Sequence, residues 1–441
     1  MLIRCKAAKR PKITPSATML SPDSPSRKID LILLALIVAV GIFLRLPPTV
    51  FAGSANPLHA VEFLHPKPKM ESVGFDESLY TEYVHKLATL GLSAYPLIVQ
   101  DYVERQERLQ RSILSPLRFL YIYSGYLWHL SFGSDPLVAL KSVASLFSVL
   151  TLFISIAFVW RLKGKAWALA IGALMCVAPT QIHMSQHALV DGFFTFWALL
   201  CLWLFWENLL APREWRWLVA YIVGLALLVL TKENSFFVWI ALVALLVANH
   251  WLRFGTVTRE LVIATVLGPL LGGVILVLLA GGLSQTIHTY HYSLAKNYQL
   301  QYAILTGDGP WYRYLVDLLL VSPIVLILAL GTLFRLNRTM KPELFMSIFI
   351  AASYLVMCNV KYGMNLRYAN MWDLPLRFLA LSQIVAFASL AKKYRTAIIA
   401  GAVVLLAAIE FHQYIVLAVR YPLYELITHD LLQALQILKS P

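Results

Sequence analysis

The stretch LVALKSVASLFSVLTLFISIAFVW, residues 137–160, carries one charged side chain, Lys141, in an otherwise apolar run with a few hydroxyl groups. A helix rises 1.5 Å per residue, so this stretch would be about 36 Å long, enough to cross a hydrocarbon core of about 30 Å. The whole chain has a similar character, because 59% of its 441 residues are hydrophobic, 14% are charged and the mean hydropathy is +0.69. Average soluble proteins carry about 25% charged residues, so this composition excludes a soluble domain and predicts a membrane protein.

Ten further apolar runs have the length expected of membrane-spanning helices. We therefore predict an all-α, polytopic transmembrane helical bundle of about eleven spans. The run nearest the N-terminus, residues 29–46, is not interpreted as a cleavable signal peptide. It ends in Arg45 and Pro47-Pro48 without a small-residue cleavage site. The ten runs are 29–46, 166–179, 188–209, 215–231, 235–252, 260–281, 313–334, 343–359, 372–391 and 396–418.

The two ends of the chain are predicted to lie outside this bundle, which occupies residues 29–418. Residues 1–28 are rich in Lys, Arg, Pro and Ser and contain one acid, Asp23. Such a segment has too little apolar content to fold alone, so we predict a disordered basic tail in the cytoplasm. Residues 419–441 are predicted to form a short external helix.

The positions of Lys and Arg predict the topology. Residues 116–132, rich in Tyr and Trp and carrying Arg118 and His129, could be counted as a further span. If they crossed, every later basic connection would lie opposite the basic tail, against the positive-inside rule. We therefore interpret them as a helix in the membrane interface, within a long first external loop at 47–135 that contains juxtamembrane helices. The basic connections then share the cytoplasm with the N-terminus: Arg161 to Lys165, Arg213 to Arg216, Arg253 to Arg259, Arg335 to Lys341 and Lys392 to Arg395.

The same topology collects the unusual polar residues on one face, predicted to be external. They lie in the first loop and in four shorter connections, at 180–190, 232–233, 282–312 and 361–372. Polar and ionisable groups at the ends of membrane spans are functional candidates by default. We therefore expect the functional site on this face.

Asp76 and Glu77 open a predicted helix whose apolar face is marked by Phe75, Leu79, Tyr83, Leu87 and Leu90. One interpretation is structural, with Asp76 as the N-cap and Glu77 as a first-turn acid. The other is catalytic, with a carboxylate at the membrane surface that removes a proton from an acceptor nucleophile. Spacing alone leaves both interpretations open.

Asp191 lies at the outer end of an apolar helix, after a polar turn that contains His183 and His187. Its position at the margin of a span favours a functional role, and an N-cap is the alternative. The three residues are spaced by four, so on a continuous helix they would share a face and could bind a divalent metal such as zinc. Pro179 and the polar residues between them favour a loop instead.

Several cations stand on the predicted external face, against the charge bias. They are Lys232, next to Glu233, and Lys361, Arg367 and Arg377 around a later turn. A phosphate would explain them, since Arg recognises phosphate bidentately and Lys as a point charge. Snorkelling or an ion pair with a nearby acid is the alternative for each residue.

Several classes of site have no support in the sequence. The four cysteines, Cys5, Cys176, Cys201 and Cys358, include no CxxC pair, which argues against a disulfide framework or a thiolate metal site. Nucleotide-binding loops and zincin motifs are absent from the sequence. The net charge of +14 is expected from basic cytoplasmic connections, so we predict no nucleic-acid partner.

Taken in order, the external motifs resemble the polytopic GT-C glycosyltransferases, in particular the protein mannosyltransferase and aminoarabinose transferase group. The resemblance covers most of the chain from Ile29 to about Leu390. The matching motifs are GFDESLY at 74–80, SPLRFLY at 115–121, AP at 178–179, SQHALVD at 185–191, TK at 231–232, and RY at 367–368 ahead of LP at 374–375.

The resemblance implies that a sugar is moved from a polyprenyl-phosphate carrier to an acceptor on the external face, with inversion at the anomeric carbon. It implies Asp76 as base or acceptor-orienting group, beside Glu77, and Asp191 as a second acid. Lys232 and Arg367 would neutralise the lipid phosphate, with Tyr368 and Tyr80 as further binding residues. The acceptor would be a protein, a lipid or a glycan, and no cofactor is certain beyond a divalent metal as an open alternative.

Two rival classes of membrane protein stay open at this stage. A transporter or flippase of a lipid-linked or anionic substrate would also be polytopic, but it should show internal repeats, and we find none that is convincing. A non-catalytic scaffold would tolerate the loss of Asp76, Asp191 and Arg367 together. For the enzyme we predict a multi-pass protein of the plasma membrane with its active site outside and membrane lipids as further partners.

Overall fold

The computed structural model describes residues 25–51, 55–66, 74–110, 112–421, 427 and 429–436. These residues form nineteen α-helices joined by short turns and 3-10 segments, and no β-strand occurs among them. The helices are α1 Pro25–Arg45, α2 Phe75–Leu90, α3 Tyr95–Arg108, α4 Phe119–Phe132, α5 Pro136–Lys163, α6 Lys165–Cys176, α7 Pro179–Gln186, α8 Val190–Leu210, α9 Trp215–Val229, α10 Ser235–Leu252, α11 Arg259–Leu279, α12 Leu283–Asn297, α13 Gln301–Gly307, α14 Arg313–Val321, α15 Pro323–Leu333, α16 Lys341–Met357, α17 Asp373–Ala388, α18 Arg395–Tyr414 and α19 His429–Ala434. The predicted all-α fold is therefore confirmed.

All eleven predicted runs are helical over most of their length. In the described part of the chain, six helices are long and apolar enough to cross a membrane, or seven if the bent pair α6 and α7 counts as one span. They include α5, α8, α10 and α11, and two more that contain α17 and α18. The helices α9 and α15 are apolar but shorter. The several apolar helices support an integral membrane protein, while the count of eleven crossings stays a prediction.

One predicted run, 313–334, is broken at a proline, and another, 166–179, ends at a proline where a further helix begins. Helix α7 begins at Pro179 and is bent by 54° from α6, and α15 begins at Pro323, with only Ser322 between it and the end of α14. Proline lacks an N–H and disfavours a helical residue before it, so it fits the first position of a new helix rather than the interior of an old one. The single span predicted at 313–334 is thus two helices. The loop favoured after Pro179 is also wrong, because α7 is helical and only three residues separate it from α8.

The helices predicted in the first loop form a layer over one end of the bundle. In α2 the predicted apolar face buries Leu79, Tyr83 and Leu87, while its two ends, Phe75 and Leu90, are exposed. These buried side chains pack with α3 and α4 against the first turns of α5 and α8. The layer brings the start of α2 to the site described below.

Helix α4 covers most of the segment interpreted as interfacial. Its 14 residues span about 21 Å, less than a bilayer core of about 30 Å. It buries Phe119 and Ile122 against α2 and α5 and exposes Leu130 and Phe132. The length fits a helix that lies in the interface, and that placement stays a prediction.

Ion pairs join the predicted cytoplasmic connections at the opposite end of the bundle. Arg161, near the end of α5, donates two hydrogen bonds of 2.8 and 2.9 Å to the Glu207 carboxylate near the end of α8. Lys163 lies 2.9 Å from Glu343 at the start of α16. The basic connections and the polar site therefore lie at opposite ends of the bundle. This is the arrangement predicted from the occurrence of Lys and Arg in alternate connections. Which end faces the cytoplasm stays a prediction.

The predicted terminal segments lie mostly outside the described residues. Residues 1–24 of the basic tail are among those not described, and residues 25–28 form the first turn of α1. Of the predicted C-terminal helix at 419–441, the described part contains the end of a π-helical turn and the six residues of α19.

Candidate active site

The start of α2 is fastened to the rest of the protein by Glu77. One oxygen of its buried carboxylate accepts the Gly74 N–H at 3.0 Å and the other accepts the Ala188 N–H at 2.6 Å. Burial alone would raise the pKa of Glu77, but the contact with His187 and the Ala188 N–H outweigh it and lower the pKa to about 2. The contacts therefore give Glu77 an anchoring role. The N-cap is Gly74, so the interpretation of Asp76 as N-cap is wrong.

Asp76, the neighbour of Glu77, faces the cations. Its Oδ2 lies 3.1 Å from Nη2 of Arg367, and its side chain is 21% exposed. The guanidinium also approaches a second acid, because its Nε lies 3.9 Å from Oδ2 of Asp191. Arg367 thus stands between two carboxylates, one partly open to solvent and one buried.

Asp191 and Lys232 form a buried ion pair. Lys232 Nζ lies 2.5 Å from Oδ1 of Asp191, and both side chains are almost fully buried. Asp191 occupies the first turn of α8, and Lys232 lies in the short turn between α9 and α10. A charge removed from water is tolerated when it is paired and hydrogen-bonded. Arg367 and Lys232 together surround the single carboxylate of Asp191.

Tyr368 stacks against this pair of cations. Lys232 Nζ lies 3.9 Å from the centroid of the Tyr368 ring, and the Arg367 guanidinium lies 5.5 Å from it. Cations over an aromatic ring are attracted by the partial negative charge on the face of its π-system. Arg367 and Tyr368 both belong to the 3-10 helix Leu366–Trp372, whose first turn is capped by the Asn365 side chain.

A third cation, Arg118, stands beside the site. Its Nη1 donates to the Tyr80 hydroxyl at 2.8 Å, and its Nε donates to Oε2 of Glu233 at 3.2 Å. Burial raises the pKa of Glu233, but the Arg118 charge and the Glu233 backbone lower it more, so Glu233 is an anion. From the sequence, Arg118 is predicted only as part of the interfacial helix at 116–132. Its place in SPLRFLY was the signal that could have added it to the site.

The predicted metal candidates do not converge. Helix α7 ends at Gln186, so His183, His187 and Asp191 are not on one continuous helix. The rings of His183 and His187 are 4.6 Å apart, His187 lies 3.7 Å from Glu77, and Asp191 faces Lys232. In the described ranges no group of three His, Cys, Asp or Glu side chains could hold a metal ion. These three residues therefore do not fit a metal ion.

Two further cations predicted near a phosphate lie elsewhere. Arg377 is buried in α17, where it pairs with Asp373 at 2.8 Å and also contacts Glu410 of α18. Lys361 is exposed, with Nζ 4.8 Å from the Tyr362 ring centroid. The phosphate interpretation is therefore wrong for Arg377, because its side chain is 1% exposed and is held inside the bundle by Asp373 and Glu410.

The site thus unites residues from four separate connections of the chain. Asp76, Tyr80 and Arg118 come from the first loop, Asp191 from the start of α8, and Lys232 with Glu233 and Arg367 with Tyr368 from two later turns. In such a shielded environment, charges interact more strongly than in water. The arrangement can bind an anion through Lys232 and Arg367 and can accept a proton at Asp76.

Comparisons with known proteins find a family model and several solved structures that are similar to this chain. The family model described as dolichyl-phosphate-mannose-protein mannosyltransferase matches residues 116–292. That segment contains Arg118, Asp191 and Lys232. No curated protein sequence matches the chain.

Solved structures match over nearly the whole chain. ArnT from Cupriavidus metallidurans in the apo state is 16% identical, with a TM-score of 0.50 over 94% of this chain and 78% of that protein. The same protein bound to undecaprenyl phosphate is 14% identical, with a TM-score of 0.52 over 89% and 76%. The Archaeoglobus fulgidus oligosaccharyltransferase AglB, in complex with an inhibitory peptide and a dolichol-phosphate, is 15% identical, with a TM-score of 0.57 over 91% and 57%.

At these identities the structural matches show the fold, which is that of GT-C membrane glycosyltransferases. The family model adds a sequence match in the middle of the chain. Together they show similarity to membrane glycosyltransferases, in fold over most of the chain and in sequence over its middle part. The predicted resemblance of this chain to the polytopic GT-C glycosyltransferases, in particular the protein mannosyltransferase and aminoarabinose transferase group, is thereby confirmed.

Proposed function

We propose that this protein transfers a sugar from a polyprenyl-phosphate-linked donor to a protein, lipid or glycan acceptor at the external face of the membrane. The observation that carries the proposal is the position of Arg367, which lies 3.1 Å from Asp76 and 3.9 Å from Asp191, with Lys232 on the far side of Asp191. A proton acceptor and two phosphate-binding cations are thus side by side.

The cations would act on the leaving group. As the bond between the anomeric carbon and the carrier phosphate breaks, negative charge grows on the phosphate oxygens. Arg367 and Lys232 are 9% and 2% exposed at their side chains, so their charges are little screened by water. Guanidinium and ammonium donors already fixed there by Asp191 and Tyr368 need little reorganisation during the reaction.

Asp76 would act on the acceptor. Its carboxylate takes the proton from the acceptor nucleophile, the freed electron pair forms the bond to the anomeric carbon, and the polyprenyl phosphate departs with the electrons of the broken bond. One displacement of this kind inverts the anomeric centre.

An apolar groove provides a place for the polyprenyl tail. It encloses about 750 Å³ between α10 and α11 and is lined by Val229, Ser235, Trp239, Gly273 and Leu283, among others. Val229 and Ser235 stand on either side of the turn that carries Lys232. A phosphate held by Lys232 would therefore have its hydrocarbon chain at the mouth of this groove.

The similar structures point to the same class of ligand. One holds undecaprenyl phosphate and another holds dolichol-phosphate with an inhibitory peptide. A third is tethered to an acceptor peptide. By analogy we propose a polyprenyl-phosphate donor, and a peptide is the first acceptor to test.

The test is a transfer assay with the purified full-length protein, a panel of polyprenyl-phosphate sugars and a panel of acceptors. We expect one donor to yield a glycosylated acceptor together with free polyprenyl phosphate. Vectorial movement of an intact lipid-linked sugar in proteoliposomes, with no free polyprenyl phosphate from any donor, would instead establish the transporter class.

The role of Asp76 is tested by Asp76→Asn, with Asp101→Asn as the matched control. Removal of a general base typically costs about 100-fold to 10,000-fold in rate. Asp101 is a partly exposed acid of the same layer, paired with Lys86 away from the site, so its variant should turn over like the parent. If Asp76→Asn keeps more than about a third of parental turnover, another group is the base.

A further inference from the structure

The segment that carries Arg367 and Tyr368 is not expected to hold its shape alone. It is a 3-10 helix of seven residues, Leu366–Trp372, although 3-10 runs longer than three or four residues are uncommon because their hydrogen bonds are poorly aligned. The segment must therefore be held by contacts from other elements. Those contacts therefore determine where the side chains of Arg367 and Tyr368 point.

Gln181 of α7 supplies such a contact at the inner end of the segment. Its Nε2 donates to the Asn370 carbonyl at 3.1 Å, to Oδ1 of Asn370, and to Oδ2 of Asp373 at 2.9 Å. All three residues are buried. A second contact comes from α16, where Ser353 Oγ accepts the Trp372 Nε1–H at 2.8 Å.

Asp373, the acid that accepts a hydrogen bond from Gln181, is itself held in place by other residues. Arg377 donates to Asp373 at 2.8 Å and also to Glu410 of α18, and Glu410 accepts the Ser322 hydroxyl at 2.9 Å. Buried charges of this kind are stable only in a geometry that pairs them. Asp373, the residue that directly follows the 3-10 helix, is therefore a rigid acceptor for Gln181.

Helix α7 holds the other half of the site too. The turn that follows it carries Ala188, whose N–H binds the Glu77 carboxylate beside Asp76, and then leads into Asp191 at the start of α8. The eight residues of α7 are all buried. This short helix and the turn that follows it thus contact both the segment of Arg367 and the Glu77 carboxylate beside Asp76.

We propose that Gln181 is a positioning residue, which sets the direction of Arg367 toward the donor phosphate by joining α7 to the 3-10 helix Leu366–Trp372. The inference rests on the proposed function, because it takes Arg367 to bind the carrier phosphate. Gln181 itself touches no reacting atom. Its effect should therefore depend on the presence of the Arg367 side chain.

The experiment is a double-mutant cycle with Gln181→Met, Arg367→Ala and the combined variant, read out as affinity for a short-chain polyprenyl phosphate. Loss of one well-placed contact to phosphate corresponds to about a 10-fold weakening. We expect Gln181→Met to weaken binding by about that factor in the parent and by less than about 2-fold when Arg367 is already Ala. Effects that simply add in the combined variant would overturn the positioning role.

Gln383→Met is the matched control. Gln383 is also a buried glutamine that contacts the same helix bundle, but its Oε1 accepts from Arg335 at the opposite end. The Gln383→Met variant should lower the melting temperature about as much as Gln181→Met, and its affinity for the polyprenyl phosphate should equal that of the parent. Equal affinity losses for the two glutamine variants would show a general loss of folding and overturn the inference. No binding by the parent would instead overturn the proposed function, and this inference with it.

Discussion

Asp76 and Glu77 show how two adjacent, identically charged residues acquire different roles. Both could be predicted as site acids, because they follow a glycine at the start of an external helix. Which of them faces the cations could not be predicted, since that depends on the Ala188 N–H and on Arg367, more than 100 and nearly 300 residues away along the chain. Sequence spacing constrains residues within one helix and is silent on such distant partners.

Glu77 should make the stability of the protein depend on pH. Its pKa falls from 4.5 to about 2 on folding, so its ionised form stabilises the folded state above about pH 4.5. That contribution, about 3 kcal/mol, is lost as the pH falls from 4.5 toward 2. In thermal unfolding in detergent, Glu77→Gln should be less stable than the parent at pH 7 and should lose less stability between pH 5 and pH 3.

Glu104→Gln is the control for this measurement. Glu104 is an exposed glutamate of α3 whose contact is a hydrogen bond from Gln100. Its variant should follow the parent at both pH values. A Glu77→Gln curve parallel to that of the parent would remove Glu77 as the anchor of α2.

Arg118 and Glu233 mark the limit of the sequence prediction at the residue scale. Each lay in a quoted motif or beside a predicted site residue, but their pairing across 115 positions follows from the docking of the first-loop layer onto the turn after α9. In contrast, Asp76, Asp191, Lys232 and Arg367 could be placed together in advance, because alternation of basic connections assigns them all to one end of the bundle.

At the scale of elements, helix existence was predictable and helix continuity was not. Apolar runs predict where helices lie, but a proline inside a run fits either a kink or a new first turn. The breaks at Pro179 and Pro323 are settled by tertiary contacts. The hydroxyl of Ser322, in the gap before Pro323, donates to Glu410 of α18.

The groove between α10 and α11 yields a prediction at this scale. A side chain at Gly273 would meet no atom within 4 Å and would project into the groove. Gly273→Leu should displace about two methylene groups of a polyprenyl tail, and at about 0.8 kcal/mol each this gives roughly a 10-fold loss of affinity for a long-chain polyprenyl phosphate. Affinity for a short-chain analogue should not change.

Gly401→Leu is the control, because Gly401 is also a helical glycine with open space beside it, on α18. Leucine is a better helix former than glycine, so neither variant should lower stability. If Gly273→Leu and Gly401→Leu bind the long-chain lipid equally well, the tail lies elsewhere.

For the whole molecule, the main prediction is the orientation in the membrane. The basic connections meet at one end and the candidate active site at the other. The positive-inside rule then places the first end in the cytoplasm. We expect an impermeant thiol reagent to label Leu90→Cys at the end of α2 in intact cells and to spare Pro212→Cys between α8 and α9.

The native cysteines should not interfere with this labelling. Cys176, Cys201 and Cys358 are buried, and Cys5 can be replaced by Ser. Permeabilised cells should label both introduced cysteines, which shows that each is reachable. Labelling of Pro212→Cys with protection of Leu90→Cys in intact cells would invert the topology and place the site inside.

The central claim, a phosphate site for a lipid-linked donor, is tested most directly by binding of a polyprenyl phosphate to purified variants. A charged hydrogen bond to phosphate contributes roughly 1.5 to 3 kcal/mol, so Arg367→Ala and Lys232→Ala should each weaken binding by about 10-fold to 150-fold. Arg367→Lys keeps the charge but not the guanidinium fork, so its affinity should lie between those of the parent and Arg367→Ala. Lys361→Ala, an exposed cation of the same face, should bind like the parent. Equal affinity for the parent, Arg367→Ala and Lys232→Ala would contradict the account.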